Sequence, residues 1–160
     1  MTNANVIIIM GSKSDLEHAQ MIKDAAESFG LTVAMHVGSA HKTARHLINL
    51  LDRYEAITNS KVYITIAGRS NALSGFVDGY VNAPVIACPP VSSAFGGADI
   101  HSSLRMPSGV APAVVLEPKN AALLAAKILS LTDSDIAEKV IAYKKEQVEQ
   151  IISADQEIND

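Results

Sequence analysis

Val6-Ile7-Ile8-Ile9-Met10-Gly11-Ser12-Lys13-Ser14-Asp15 carries the reading that decides the fold: an apolar run without alternation, a glycine turn, and hydroxyls leading into a helical pattern. A strand apolar on both faces belongs inside a parallel sheet covered by helices on both sides. The same grammar recurs downstream. Residues 31–37, 62–66, 85–88 and 113–116 read as further strands, with helical patterns between them. Residues 15–29 stop before Gly30, which suits a helix C-terminus, and Leu47, Leu50, Leu51 and Tyr54 place one apolar stripe on a second helix. A third helix follows Asn71, Pro118 opens a fourth that runs through residues 120–131, and Thr132-Asp133-Ser134 announces a last one. This order predicts an α/β fold, a three-layer αβα sandwich on a parallel, doubly wound, flavodoxin-like sheet with an added C-terminal helix.

The chain has 160 residues and 48% hydrophobic content, enough for one core, so residues 1–160 are read as a single domain. The final helix, residues 133–157, comes after the sheet is complete and still carries Ile136, Val140, Ile141, Val148, Ile151 and Ile152. It either packs on a neighbouring subunit, making the protein a homo-oligomer, or closes over its own domain. A net charge of −4 gives no basic stripe, which argues against a nucleic-acid partner. The run 6–10 has no basic residues before it and is too short to span a bilayer, so the expectation is a cytoplasmic protein with no membrane partner. Cys88 is the only cysteine, which excludes an intrachain disulfide and a cysteine-based zinc site, and on an apolar strand it reads as core.

Ligands of doubly wound sheets bind outside the carboxyl ends of the strands, which directs attention to the first three strand-to-helix loops. In the first, Ser12, Ser14 and free amides stand at a helix start, where a phosphate or a sugar fits; Asp15 could equally be a plain N-cap. The second, Gly38-Ser39-Ala40-His41-Lys42-Thr43, puts a hydroxyl, an imidazole and an ammonium within one turn. Lys42 can neutralise a phosphate, and His41 is the best candidate for proton transfer because its reference pKa lies near neutrality. The third, Ala67-Gly68-Arg69-Ser70-Asn71-Ala72-Leu73-Ser74-Gly75, can admit a planar heterocycle or be an ordinary capped loop. His18, His36 and His46 read as packed or surface residues. Residues 89–109, which contain His101, read as a long functional or mobile loop. Walker, dinucleotide, nucleophile-elbow and His-Glu-x-x-His motifs are absent, so cofactor-free acid–base chemistry is the simplest expectation.

Together, Met10-Gly11-Ser12-Lys13-Ser14-Asp15, Ser39-Ala40-His41-Lys42-Thr43 and the third loop resemble the PurE family of purine biosynthesis. The match extends through Cys88-Pro89-Pro90, Leu104-Arg105-Met106-Pro107-Ser108-Gly109 and Pro118-Lys119-Asn120. The family has a branch that rearranges N5-carboxyaminoimidazole ribonucleotide and a branch that carboxylates aminoimidazole ribonucleotide directly with carbon dioxide. This chain resembles the second. The mutase branch usually carries Ser-Ala-His-Arg-Thr-Pro where Ser39-Ala40-His41-Lys42-Thr43-Ala44 stands here, and a Gly-Gly-Ala-Ala-His-Leu type of third loop where Gly68-Arg69-Ser70-Asn71-Ala72-Leu73 stands here.

The resemblance implies a carboxylase with no cofactor and no metal, whose partners are a small ribonucleotide and carbon dioxide. It implies that His41 is the proton-transfer residue, that Ser12, Ser39 and Lys42 hold the phosphate, that Asp15 takes the ribose hydroxyls, and that Gly68, Arg69 and Ser70 line the base or carboxylate side. It also implies a homo-oligomer, an octamer or tetramer, with active sites between subunits. The rival readings are the mutase of the same family and a non-catalytic nucleotide-sensing module on the same fold.

Overall fold

The computed structural model describes residues 4–159. β1 (Val6–Met10) lies between β2 (Val33–Val37) and β3 (Val62–Ile66), and the sheet continues through β4 (Val85–Ala87) to β5 (Ala113–Val114). All pairings are parallel and the order is β2-β1-β3-β4-β5, the flavodoxin-like arrangement. Every residue of β1 and β3 is buried, which is why neither strand shows alternation in the sequence.

The pleat still sorts their side chains. Val6, Ile8 and Met10 face a layer made by α1 (Leu16–Ser28) and α5 (Pro118–Leu129), whereas Ile7 and Ile9 face α2 (Ala44–Glu55) and α3 (Ala72–Asp78). The stripe Leu47, Leu50, Leu51 and Tyr54 is the buried face of α2. Each fully buried Leu or Ile contributes about 1.5–3 kcal/mol relative to exposure.

Register brings the loops level. Met10 of β1 pairs with Val37 of β2 and with Ile66 of β3, the last residue of each strand. Two backbone bonds carry this alignment one residue further: Gly11 N–H donates to the Ile66 carbonyl and Gly38 N–H to the Met10 carbonyl, both at 2.8 Å. Three loops therefore leave the sheet side by side.

β2 starts at Val33, two residues later than the sequence suggests, because Leu31 is used to end α1. Gly30, at φ +78°, donates to the Glu27 carbonyl and Leu31 donates to the Ala26 carbonyl, which closes the helix in a Schellman motif. Residues 89–109 are not an open loop. They contain a 3-10 segment (Ala94–Ile100), broken where Phe95, Gly96 and Gly97 take positive φ, and the short helix α4 (His101–Leu104). His101 is exposed on that helix.

The last helix, α6 (Ser134–Asn159), begins where the Asp133 carboxylate accepts the Asp135 and Ile136 amides at 3.0 and 3.2 Å. Its first turns close over the chain's own domain: Ile136 and Val140 are buried with α1 and α5, and Tyr143 meets Phe29 edge to face at 5.3 Å. Beyond them Ile141, Val148, Ile151, Ile152 and Ile158 are exposed.

Candidate active site

The three level loops enclose a cleft of about 510 Å³ lined by Gly11, Ser12, Ser14 and Asp15, by Ser39, His41 and Lys42, by Ala67, Gly68, Arg69 and Ser70, and by Pro90 and Ser92. All eight residues singled out from the sequence stand on this one hollow. Gly11, Ser14 and Ala67 lie in loops already recognised as unusual. Pro90 and Ser92 come from residues 89–109, the stretch read from the sequence as a long functional or mobile loop.

The first loop is closed by its own hydroxyls. Ser12 Oγ accepts the Ser14 amide at 3.2 Å and lies 3.0 Å from Ser14 Oγ, capping a 3-10 turn (Lys13–Asp15). Asp15 occupies the N-cap position of α1 but makes no capping bond with its side chain. Its carboxylate is thus free of the helix and lines the cleft. Burial raises its pKa above 3.8, against the opposing pull of the Ser12 amide, His18 and Ser14.

The second loop is closed likewise. The Ser39 amide donates to Thr43 Oγ1 and the Thr43 amide to the Ser39 carbonyl, both at 2.9 Å, while the Lys42 amide reaches Ser39 Oγ at 3.3 Å. This ring holds His41 and Lys42 exposed at the rim. Among the described residues neither Lys42 nor Arg69 joins an ion pair, so both cations remain available to an anion.

The third loop is built differently. Arg69 has φ +58°, the left-handed region that side chains with a Cβ avoid. Its amide donates to the Asp99 carboxylate at 3.2 Å. Buried Asn71 caps α3 by accepting the Ser74 amide at 3.1 Å, and is itself tied to Ser102 Oγ through its amide and to Ser103 Oγ through its side chain, both at 2.9 Å. An apolar hollow of about 210 Å³, lined by Pro89, Pro90, Val91, Ile100 and Leu116, among others, opens beside this loop.

His18, read from the sequence as an ordinary packed residue, places Nε2 3.1 Å from the Cys88 carbonyl and 3.3 Å from its sulfur. It thereby ties the start of α1 to the residue before Pro89. Burial lowers its pKa. Cys88 is fully buried, and burial, reinforced by Glu117, pushes its thiol up to about 12, which leaves it inert. Among the described residues no group of three or more His, Cys, Asp and Glu side chains could hold a metal ion, and no helix is long and apolar enough to cross a membrane.

A polar cleft with an imidazole, two unpaired cations and several hydroxyls at the carboxyl edge of a doubly wound sheet is the architecture of an enzyme acting on a small molecule. Comparison with known proteins makes this specific. The family described as AIR carboxylase matches residues 5–150. The chain is 58% identical to the phosphoribosylaminoimidazole carboxylase of Treponema denticola over 96% of either chain. It is 50% identical to that of Archaeoglobus fulgidus over 95% of this chain and 83% of the relative. The crystal structure of Treponema denticola PurE superposes with a TM-score of 0.95 at 57% identity, covering 97% of this chain and 98% of the other. The chain belongs to the AIR carboxylase family.

Proposed function

We propose that this enzyme carboxylates 5-aminoimidazole ribonucleotide reversibly with carbon dioxide, giving 4-carboxy-5-aminoimidazole ribonucleotide for purine biosynthesis. The observation that carries the reading is the convergence of His41, Lys42, Ser12, Ser39 and Asp15 on one cleft that the third loop also lines. The relatives' names support direct carboxylation over the mutase.

The chemistry follows from the substrate. The amino-substituted imidazole is an enamine, so C4 is nucleophilic and forms the new C–C bond by attack on carbon dioxide. C4 is then tetrahedral and must lose its proton for aromaticity to return; His41 takes it. In reverse, His41 returns the proton to C4 and the C–C bond breaks to release carbon dioxide. Lys42, Ser12 and Ser39 hold the phosphate, and Asp15 accepts hydrogens from the ribose hydroxyls. Ionised Asp15 is partly desolvated before substrate arrives, so a bond from a ribose hydroxyl recovers solvation it has already lost. Gly68, Arg69 and Ser70 form the base or carboxylate side, next to the apolar hollow, where exclusion of water favours uncharged carbon dioxide.

We assign the chain a cytoplasmic location and a homo-oligomeric state, octamer or tetramer, with active sites completed between subunits. The exposed ridge Ile141, Val148, Ile151 and Ile152 on α6 supports assembly. Sedimentation of an Ile151→Asp, Ile152→Asp double variant should show a smaller species; an unchanged mass rules α6 out as the contact.

The deciding experiment is the initial rate of product formation from aminoimidazole ribonucleotide without ATP, in carbon-dioxide-rich and carbon-dioxide-depleted buffer. A rate that rises with dissolved carbon dioxide establishes the carboxylase. Absence of product in both rejects it in favour of the mutase or a sensing module.

A further inference from the structure

The third loop closes its helix end itself, through Asn71 and Ser74, but the turn before it is held from outside. Arg69 sits at φ +58° with no glycine to make that conformation free of steric cost, and among the described residues the only other non-glycine at positive φ is Phe95. A residue in this region persists where its surroundings over-determine it. Here they come from one short segment. The Asp99 carboxylate accepts the Arg69 amide, and Ser102 Oγ accepts the Asn71 amide while donating to the Asp99 carbonyl at 2.7 Å. Ser103, itself buried, accepts the Asn71 side-chain amide. The bonds bracket Arg69 and Ser70, two of the four residues this loop presents to the cleft, and the hydroxyl of Ser102 locks the bracket to the backbone of Asp99 itself.

We propose that Asp99 is a positioning residue of the reaction, which by accepting the Arg69 N–H holds the third loop in the left-handed turn that sets Arg69 and Ser70 against the substrate. This rests on the reading of the cleft as the carboxylase site. Asp99 lines the apolar hollow, not the polar cleft, so its carboxylate acts through the backbone of Arg69 and takes no part in proton transfer. What the site needs from it is an acceptor at one place. Its charge is incidental, because an amide oxygen in the same position can accept the same bond.

The test compares Asp99→Ala, Asp99→Asn, Arg69→Gly and the Asp99→Ala, Arg69→Gly pair by kcat and KM for aminoimidazole ribonucleotide, with unfolding midpoints as a control for folding. Asp99→Ala should lower kcat/KM about tenfold, the upper end for one ordinary hydrogen bond. Asp99→Asn should restore most of the loss. In the Arg69→Gly background, where the turn needs no holding, Asp99→Ala should cost less than about twofold. Parent-like activity of Asp99→Ala overturns the proposal, as does an Asp99→Asn variant no better than Asp99→Ala, or an undiminished cost in the glycine background. A second readout stands apart from turnover: amide hydrogen exchange at Arg69, which should rise about tenfold in Asp99→Ala and stay near the parent value in Asp99→Asn. If the parent shows no carboxylation, the reaction is misassigned and exchange alone decides the clamp, with unchanged exchange sinking it.

Discussion

Two of the loops that form the cleft are closed by their own residues alone, and the third, beyond its own Asn71 cap, is also held by distant ones. Ser12 caps the turn that follows it, and Ser39 and Thr43 exchange backbone and side-chain bonds four residues apart. The third loop instead reaches some thirty residues ahead to Asp99, Ser102 and Ser103. The difference separates two ways of building a site. A self-closed loop can present reactive groups whose replacement leaves the fold indifferent, whereas a borrowed loop couples the site to the packing of another segment.

The largest expected effect tests the first half of that contrast. His41 is exposed and makes no bond within its ring of backbone contacts, so His41→Asn should lower kcat by about 10²–10⁴-fold, the range of general acid–base catalysis, with little change in unfolding midpoint or in affinity for the ribonucleotide. Steady-state kinetics beside a thermal melt decide it. Parent-level turnover at saturating substrate removes His41 from the mechanism.

Lys42 comes next, from the same self-closed ring. Lys42→Ala should weaken binding of the ribonucleotide by about 10–100-fold, as expected for one charge-assisted contact to phosphate, and leave binding of the dephosphorylated nucleoside nearly unchanged. Calorimetric titration of both ligands gives the comparison; equal weakening shows that Lys42 does not hold the phosphate.

Asn71 belongs to the borrowed loop and should behave in the opposite sense. It is 3% exposed and joins α3 to Ser102 and Ser103, so Asn71→Ala removes a helix cap and strands the buried Ser103 hydroxyl. A loss of about 2–3 kcal/mol of stability is expected, against about 1 kcal/mol for Ser12→Ala, whose partners can turn to water. Chemical denaturation measures both. If Ser12→Ala cost as much as Asn71→Ala, the contrast between the loops would have no energetic content.

The same contrast explains what the sequence discloses. The two-sided burial of β1 and β3, the Gly30 terminus of α1 and the start of α6 at Asp133 were all legible, because each rests on periodicity or on a cap read within a few residues, whereas strand order is suggested by the alternation of elements and not fixed by it. Ser12, Asp15, Ser39, His41 and Lys42 could be singled out from two short loops for the same reason, and they line one cleft. Asp99 was not: within the run Gly97-Ala98-Asp99-Ile100-His101 it carries no local mark, and its partner is Arg69. Nor was His18, whose neighbour Cys88 is seventy residues away. The order inside residues 89–109 was hidden because the left-handed run at Phe95, Gly96 and Gly97 offers no helical or strand period to read.

The smallest effect asks whether the first loop is as independent as its hydroxyl bonds suggest. His18, three residues beyond Asp15, is bonded to the Cys88 carbonyl, and His36 shares a 2.7 Å bond with Tyr54 on the other face of the sheet. Burial is the leading cause that lowers the pKa of both, so the fold favours their neutral forms. An unfolded histidine titrates near 6.5. The unfolded chain therefore binds more protons just below that value, and the stability these two histidines contribute is complete above pH 6.5 and falls as pH drops toward their folded pKa values. Asp15 has the opposite sign. Its raised pKa means that its ionised form weighs against the fold, and protonation at still lower pH relieves that strain. Unfolding midpoints should thus decline as pH falls from about 7.5 to 5.5. A His18→Gln variant, whose side-chain amide can still donate to the Cys88 carbonyl, should decline less steeply. An unaltered slope would mean that His18 binds its proton equally well in the folded and the unfolded chain, so that its burial beside Cys88 does not set the pH dependence.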